Sequence, residues 1–171
     1  NARIGFLCSS VSELTEKLDQ VLKLFEENKD SESWNKNGVM FASKGFPHQG
    51  KVVALFSGQG SQYQNMGKEL YLNFPPMLES LQSVDQCFIQ EGSKPLSEVV
   101  FPNPVFDDEQ KEKQDTKLQL TQHAQPSIGA FGAGLYKILK DCGLKADFTA
   151  GHSFGELTAL WAAGVLEDKD Y

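Results

Sequence analysis

A serine between two glycines is the residue of this chain best suited to covalent chemistry. Residues 151–155 read Gly-His-Ser-Phe-Gly, the spacing of a nucleophile elbow, in which a sharp strand-to-helix turn exposes a serine. Glycines suit such a turn because a Cβ would block the close backbone approach. The N-terminus of the following helix would point free N–H groups at Ser153 and stabilise an oxyanion there. The pentapeptide alone fits an ordinary strand–turn–helix corner, with a capping serine, equally well.

The residues around this turn favour the elbow. Residues 147–150 predict a short strand that leads into it, and residues 153–163 predict a helix that ends at Gly164. A second apolar run, at 51–57, predicts another strand that leads directly into the glycine-rich loop 58–62. Open α/β sheets present ligands at the carboxyl ends of their strands. We therefore expect the loop and the elbow to face each other.

The loop at 58–62 reads Gly-Gln-Gly-Ser-Gln, and it could be a phosphate-binding loop or part of an oxyanion hole. It contains neither Gly-Lys-Ser/Thr nor a spaced G-x-G-x-x-G, so it matches neither nucleotide-binding fingerprint. Oxyanion holes of elbow enzymes combine the N–H after the nucleophile with one from another strand–helix loop. The better interpretation is an oxyanion hole formed by the backbone N–H groups of Phe154 and Gln59.

Four separated motifs, at 58–63, 66–71, 121–126 and 151–156, occur in the order seen in one enzyme family. They resemble acyltransferase domains of the malonyl-CoA:acyl-carrier-protein transacylase type, found in fatty acid and polyketide synthases. The match covers about residues 50–171. The stretch 148–164 is most similar to the acyltransferase of polyunsaturated fatty acid synthases, with iterative polyketide synthases next. Residues 1–48 resemble the linker between ketosynthase and acyltransferase in such megasynthases.

The resemblance implies an α/β fold: a small α+β linker unit over 1–48, then the N-terminal part of an α/β-hydrolase-like acyltransferase core over 49–171. It implies that Ser153 takes an acyl group from malonyl-CoA and passes it to the phosphopantetheine thiol of an acyl carrier protein. No metal and no tightly bound cofactor are expected. The adjacent ketosynthase is a further expected partner.

Two more residues are expected in the substrate pocket. In the family, a glutamine in the motif at 121–126 lines the active site, which implies this role for Gln125; the alternative is that Gln125 caps a helix. His152 is expected to pack or position beside Ser153, because neighbours at an elbow point in different directions. His123 and His48 are poor candidates for the catalytic base.

The family also uses residues that this chain does not contain. A catalytic histidine and, in malonyl-specific members, an arginine for the free carboxylate lie downstream of the serine. No histidine or arginine follows Ser153, and Arg3 is the only arginine. We therefore expect the C-terminal part of the core to lie outside this chain, which would leave it incomplete for catalysis. A serine hydrolase or thioesterase with the same elbow, and an inactive structural fragment, are the alternatives.

Composition narrows the function classes further. A net charge of -7 argues against a nucleic-acid partner, which would favour a basic surface. The cysteines, Cys8, Cys87 and Cys142, lack Cys-x-x-Cys spacing, which predicts reduced and mostly buried thiols rather than metal ligands. The sequence shows no membrane-length apolar run and no signal-peptide core, so we expect a cytoplasmic location without membrane insertion.

Hydrophobic spacing predicts the remaining elements. In the N-terminal unit, we expect a strand at 4–8, a helix capped by Ser10 and Glu13, a loop at 28–38 and a strand at 39–42. In the larger unit, we expect helices near 64–72 and 75–90 and a long helix after Thr121. The mixed-charge run at 107–115 predicts a solvated loop or helix end. Three glycines in the long helix predict close packing, since each costs roughly 1 kcal/mol relative to Ala: Gly129, Gly132 and Gly134.

Overall fold

The computed structural model describes residues 2–44 and 50–171, which belong to two compact units, Asn1–Gly50 and Lys51–Tyr171. The predicted boundary at residue 48 and His48 lie outside the described residues. The interpretation of the first unit as a ketosynthase–acyltransferase linker stays a prediction.

The first unit is a three-stranded antiparallel sheet with one helix. Its elements are β1 (Arg3–Phe6), α1 (Val11–Glu27), β2 (Ser33–Lys36) and β3 (Val39–Ala42), and the strand order is β1-β3-β2. One face of α1 packs on the sheet, burying Val21 and Leu24 with Trp34, Val39 and Phe41. The predicted cap of α1 is confirmed, because the Glu13 N–H donates to Ser10 Oγ at 3.1 Å. The Glu13 carboxylate accepts from Ser9 rather than from Ser10.

The prediction of a loop at 28–38 is wrong, because this segment contains β2. Asn37 and Gly38 both have positive φ, 52° and 74°, as a two-residue hairpin turn requires. Only Trp34 of this strand is buried. A strand with one buried side chain lacks apolar alternation, so the Asn-Gly dipeptide was the usable signal. The predicted strand at 4–8 is instead β1, and it ends before Leu7, which is 89% exposed.

The second unit contains two strands and six helices among its described residues. They are β4 (Val53–Phe56), α2 (Lys68–Asn73), α3 (Pro75–Gln90), α4 (Ser97–Val100), α5 (Asp108–Gln119), α6 (Thr121–Asp141), β5 (Phe148–Gly151) and α7 (Gly155–Ala162). The strands β4 and β5 are parallel neighbours, with Phe56 opposite Gly151. Their carboxyl ends therefore lie side by side, as the sequence predicts, and the α/β class is confirmed. The mixed-charge run forms most of α5, which is a helix rather than a loop.

The core of the second unit lies between α3 and α6. Met77 is completely buried, and Leu96 and Val100 pack in the same cluster. Gly134 permits the close approach of α6, because a Cβ there would lie 2.6 Å from Met77 Sδ and 2.9 Å from its Cα. The predicted close packing of α6 at its glycines is thus confirmed for Gly134.

Met77→Ala is expected to lower the free energy of unfolding by about 2–5 kcal/mol, because it removes a fully buried side chain where α6 cannot close the gap. Urea unfolding followed by circular dichroism measures the change. The matched control on α3 is Leu78→Ala, whose side chain is 43% exposed and should cost much less. Equal losses in the two variants would contradict this account of the core.

Tyr71 makes the second unit sensitive to alkaline pH. Burial raises the pKa of its phenol above the ordinary value of 10.0, and the charge of Asp85 raises it further. The folded state therefore holds the phenolic proton more tightly, so this stabilisation is complete below pH 10 and is lost as the pH rises above it.

We expect the unfolding free energy to fall above about pH 10, and to fall less steeply in Tyr71→Phe. Urea titrations between about pH 8 and about pH 11 measure the two slopes. Tyr171 would leave a residual pH dependence, since burial also raises its pKa although its hydrogen bond with Thr158 opposes the shift. If the unfolding free energy fell with pH at the same slope in wild type and variant, Tyr71 would be excluded as a source of this pH dependence.

The prediction of mostly buried thiols is wrong. Cys8, Cys87 and Cys142 are free and exposed. Cys8 lies beyond the end of β1, Cys87 is at an exposed position of α3, and Cys142 is the C-cap of α6 rather than part of its buried face. In the part of the chain that the structure describes, no helix has the length and apolar character needed to cross a membrane.

Candidate active site

The turn between β5 and α7 has the backbone of an elbow. Ser153 has a φ of 55°, in the left-handed region, which costs a non-glycine residue roughly 1–3 kcal/mol. The turn is closed by the Gly155 N–H, which donates to the His152 carbonyl at 2.9 Å. A Cβ at Gly151 would overlap the backbone of Gly155, so this position accepts only glycine. The predicted strand, turn and helix are confirmed.

The start of α7 is packed on the end of β4. A Cβ at Gly155 would collide with the carbonyl oxygen of Phe56 and would lie 2.7 Å from that of Ser57. The His152 N–H donates to the Phe56 carbonyl at 3.0 Å, which continues the pairing of the two strands into the turn. The position of Ser153 is therefore fixed by backbone contacts on both sides.

The glycine-rich loop after β4 lies directly against this turn. A Cβ at Gly58 would collide with the His152 carbonyl and lie 2.9 Å from Ser153 Cβ. Among the described residues, no acceptor is found for the backbone N–H of Gln59 or of Phe154. Both N–H groups thus lack an acceptor in the described part of the chain: Phe154 follows the serine directly, and Gln59 follows the Gly58 that contacts the elbow. An oxyanion hole formed by these two groups stays a prediction.

Gln125 joins the same group through its side chain. Its Nε2 donates to Gln59 Oε1 at 3.3 Å, and Gln59 Nε2 donates to Thr121 Oγ1 at 3.4 Å. These bonds tie the loop after β4 to the first turns of α6. The cap position of α6 is Leu120, so Gln125 does not cap the helix.

The two described histidines have different surroundings. His123 Nδ1 lies 2.9 Å from the Lys117 carbonyl, and the ring stacks on Phe88 with centroids 6.2 Å apart. These contacts hold the His123 ring on α3 and α5. His152 is exposed, and no hydrogen bond to its ring is found in residues 2–44 and 50–171. Within the described residues, neither ring is hydrogen-bonded to Ser153, and the expectation that neither is the base stays a prediction.

A cavity of about 360 Å³ lies between α3, α6 and α7, and Phe154 is part of its wall. Ser153, His152 and Gln125 do not line it. Most of its wall is apolar, including Phe88, Ala130, Ala133, Trp161 and Tyr171. This cavity was not predicted from the sequence, although the small residues of α6 were a signal that neighbours approach the helix closely. The serine thus lies outside the lining of this cavity, although the next residue, Phe154, contributes to it.

Comparisons with known proteins show the family of this chain. Residues 53–170 match the acyl transferase domain family. A polyunsaturated fatty acid synthase subunit of a Thraustochytrium species is 38% identical over 177 residues, which is 99% of this chain and 6% of that protein. The malonyl CoA-acyl carrier protein transacylase of Bacillus subtilis is 37% identical over 120 residues, which is 70% of this chain and 33% of the enzyme.

A solved structure extends the similarity to three dimensions. The acyl transferase domain of ZmaA matches with a TM-score of 0.72 and 28% identity, over 97% of this chain and 34% of that domain. This chain therefore spans about a third of the length of the Bacillus enzyme and of the ZmaA domain, and 6% of the Thraustochytrium synthase subunit. The resemblance inferred from the four motifs is confirmed, and so is the acyltransferase type of fold. The family match contains β4, β5, α7 and the serine turn between them, and the chain belongs to the acyl transferase domain family.

Proposed function

We propose that this chain carries the nucleophile and the oxyanion-binding part of a site that transfers malonyl groups from coenzyme A to an acyl carrier protein. The observation that carries the proposal is the contact of the Gly58 loop with Ser153 in the elbow. The names of two relatives, a malonyl CoA-acyl carrier protein transacylase and a polyunsaturated fatty acid synthase, support the choice of donor and acceptor.

The first half-reaction loads the serine. Ser153 Oγ attacks the thioester carbonyl of malonyl-CoA while a base takes its proton. The oxyanion of the tetrahedral intermediate accepts hydrogen bonds from the N–H groups of Gln59 and Phe154, each of which is worth about 3 kcal/mol in such sites. The C–S bond then breaks, coenzyme A leaves as a thiol after taking the proton, and a malonyl ester of Ser153 remains.

The second half-reaction reverses these steps with a different thiol. The phosphopantetheine thiol of the carrier protein loses its proton to the base and attacks the ester carbonyl. The same two N–H groups bind the oxyanion, and Ser153 leaves as its hydroxyl when the proton returns to Oγ. The cycle is ping-pong covalent catalysis, and it needs neither a metal nor a tightly bound cofactor.

Gln125 and His152 have supporting roles in this proposal. Gln125 bonds to the Gln59 side chain, so it holds the loop and presents an amide to the substrate. His152 precedes the nucleophile, and in this proposal its exposed ring borders the substrate at the serine rather than the cavity lined by Phe154. We propose that the base is a histidine outside this chain, since His123 is engaged by Lys117 and Phe88. An arginine outside the chain would pair with the malonyl carboxylate, because guanidinium binds carboxylate in a bidentate manner.

The proposed setting is a fatty acid or polyketide megasynthase, with the larger unit as the N-terminal portion of the acyltransferase core. The first unit would be the linker to an adjacent ketosynthase, since the similarity to the Thraustochytrium synthase covers 99% of this chain. A cytoplasmic location, with no nucleic-acid partner and no membrane insertion, belongs to the same proposal.

The proposal is tested by measuring how much of the malonyl group is transferred to the carrier protein and how much is released as free malonate. The protein that carries this chain is given radiolabelled malonyl-CoA with and without phosphopantetheinylated carrier protein, and labelled carrier and free malonate are separated and counted. We expect label on the carrier and slow release of malonate in its absence. Rapid release of malonate without the carrier would instead indicate a serine hydrolase.

A further inference from the structure

The buried Gly129 of α6 lies opposite the residue that follows the nucleophile. A Cβ built at this position would lie 3.1 Å from Phe154 Cε1 and 3.4 Å from Phe154 Cζ. It would also lie 2.8 Å from the Tyr171 hydroxyl. The Phe154 ring therefore occupies the space over α6 that a side chain at position 129 would need.

The backbone of Phe154 has little freedom to absorb a displaced ring. On one side, Ser153 is held at a φ of 55°. On the other side, Gly155 is packed so closely on the Phe56 and Ser57 carbonyls that it has no room for a Cβ. A side chain at position 129 would therefore push on Phe154 itself, either turning its side chain from its rotamer or shifting its N–H.

We propose that Gly129 is a positioning residue for the elbow, which acts by leaving space for the Phe154 ring. The seated ring holds the Phe154 N–H in place beside Ser153. This inference rests on the proposed function, in which that N–H stabilises the oxyanion. A displacement of about 1 Å at a catalytic group costs about 100-fold in rate, so a shift of a few tenths of an ångström is sufficient for a measurable loss.

The same helix supplies a matched control. Gly132 lies one turn further along α6, and a Cβ there would have its nearest neighbours, Phe56 and Thr158, at the ordinary contact distance of 3.5 Å. Gly132→Ala and Gly129→Ala thus bring the same gain in helix propensity. They differ in the contact with Phe154.

The test is a double-mutant cycle on the rate of Ser153 acylation by malonyl-CoA, measured by rapid quench and intact mass in the protein that carries this chain. We expect Gly129→Ala to lower the rate about tenfold and Gly132→Ala to leave it unchanged. Phe154→Leu lacks the ring atoms that the new Cβ would meet. In that background, Gly129→Ala should therefore have little effect on the rate.

Either of two kinetic results would overturn the proposal: equal effects of Gly129→Ala and Gly132→Ala, or a loss that Tyr171→Phe relieves and Phe154→Leu does not. Crystal structures of the two glycine variants give a readout that does not depend on the reaction. We expect the Phe154 ring to be displaced in Gly129→Ala and unmoved in Gly132→Ala. A wild-type protein that forms no malonyl ester would contradict the proposed function, whereas an unmoved ring in Gly129→Ala would contradict the positioning role.

Discussion

Ser153→Ala is expected to abolish malonyl loading, with a fall in rate of about 10⁶-fold, the scale seen when a serine protease loses its nucleophile. The reason is that the chain offers no second group at the elbow that could form the ester. Ser153 alone has the left-handed backbone that projects a side chain from this turn. The fold should be retained, because Ser153 is exposed and alanine leaves the glycines of the turn in place.

Intact mass spectrometry after brief exposure to malonyl-CoA tests this prediction by measuring the mass that the protein gains. Wild type should gain one malonyl group, and the variant should gain none. Ser93→Ala is a suitable control, because Ser93 is an exposed serine in the second unit, away from the elbow. A malonyl adduct of undiminished amount in Ser153→Ala would refute both the nucleophile and the proposed transfer. Equal melting temperatures of the two variants would confirm that the difference is chemical.

The sequence was most informative where backbone geometry allows few residue types. Positions 151 and 155 have no room for a Cβ, so the glycines of the elbow could be recognised before the structure was known. Two short apolar segments, each leading into a glycine-containing turn, predicted that the loop and the elbow face each other, and the structure adds the parallel pairing of β4 and β5. Placement of Gln125 near the site came from the family motif, and the structure adds its bond to Gln59.

Features that depend on contacts distant in sequence were not predictable in the same way. The fit of the Phe154 ring over Gly129 combines a turn with the middle of α6, and no periodicity relates the two. The strand β2 was missed because only Trp34 is buried, so the segment has the polarity of a loop. The exposure of Cys142 depends on the residue at which α6 ends, and helix ends are the least certain part of a sequence-based assignment.

Gly58→Ala is expected to lower kcat for malonyl loading by about 10²–10³-fold, the cost of one lost oxyanion donor. The added Cβ would meet the His152 carbonyl and would lie 2.9 Å from Ser153 Cβ. The carbonyl is part of the backbone and cannot rotate away as a side chain would. The loop must therefore move away from the elbow and take the Gln59 N–H with it, while Ser153 and the Phe154 N–H stay in place.

Single-turnover kinetics at saturating malonyl-CoA separate this loss from weaker substrate binding. Gly132→Ala provides the comparison, since it adds the same methyl group at a position with ordinary contacts. The Gly58 variant should still form a malonyl ester slowly, whereas Ser153→Ala should form none, because only the donor has been displaced. A Gly58→Ala protein that loads at the wild-type rate would show that the loop supplies no donor. The oxyanion would then depend on the Phe154 N–H and on groups outside the Gly58 loop.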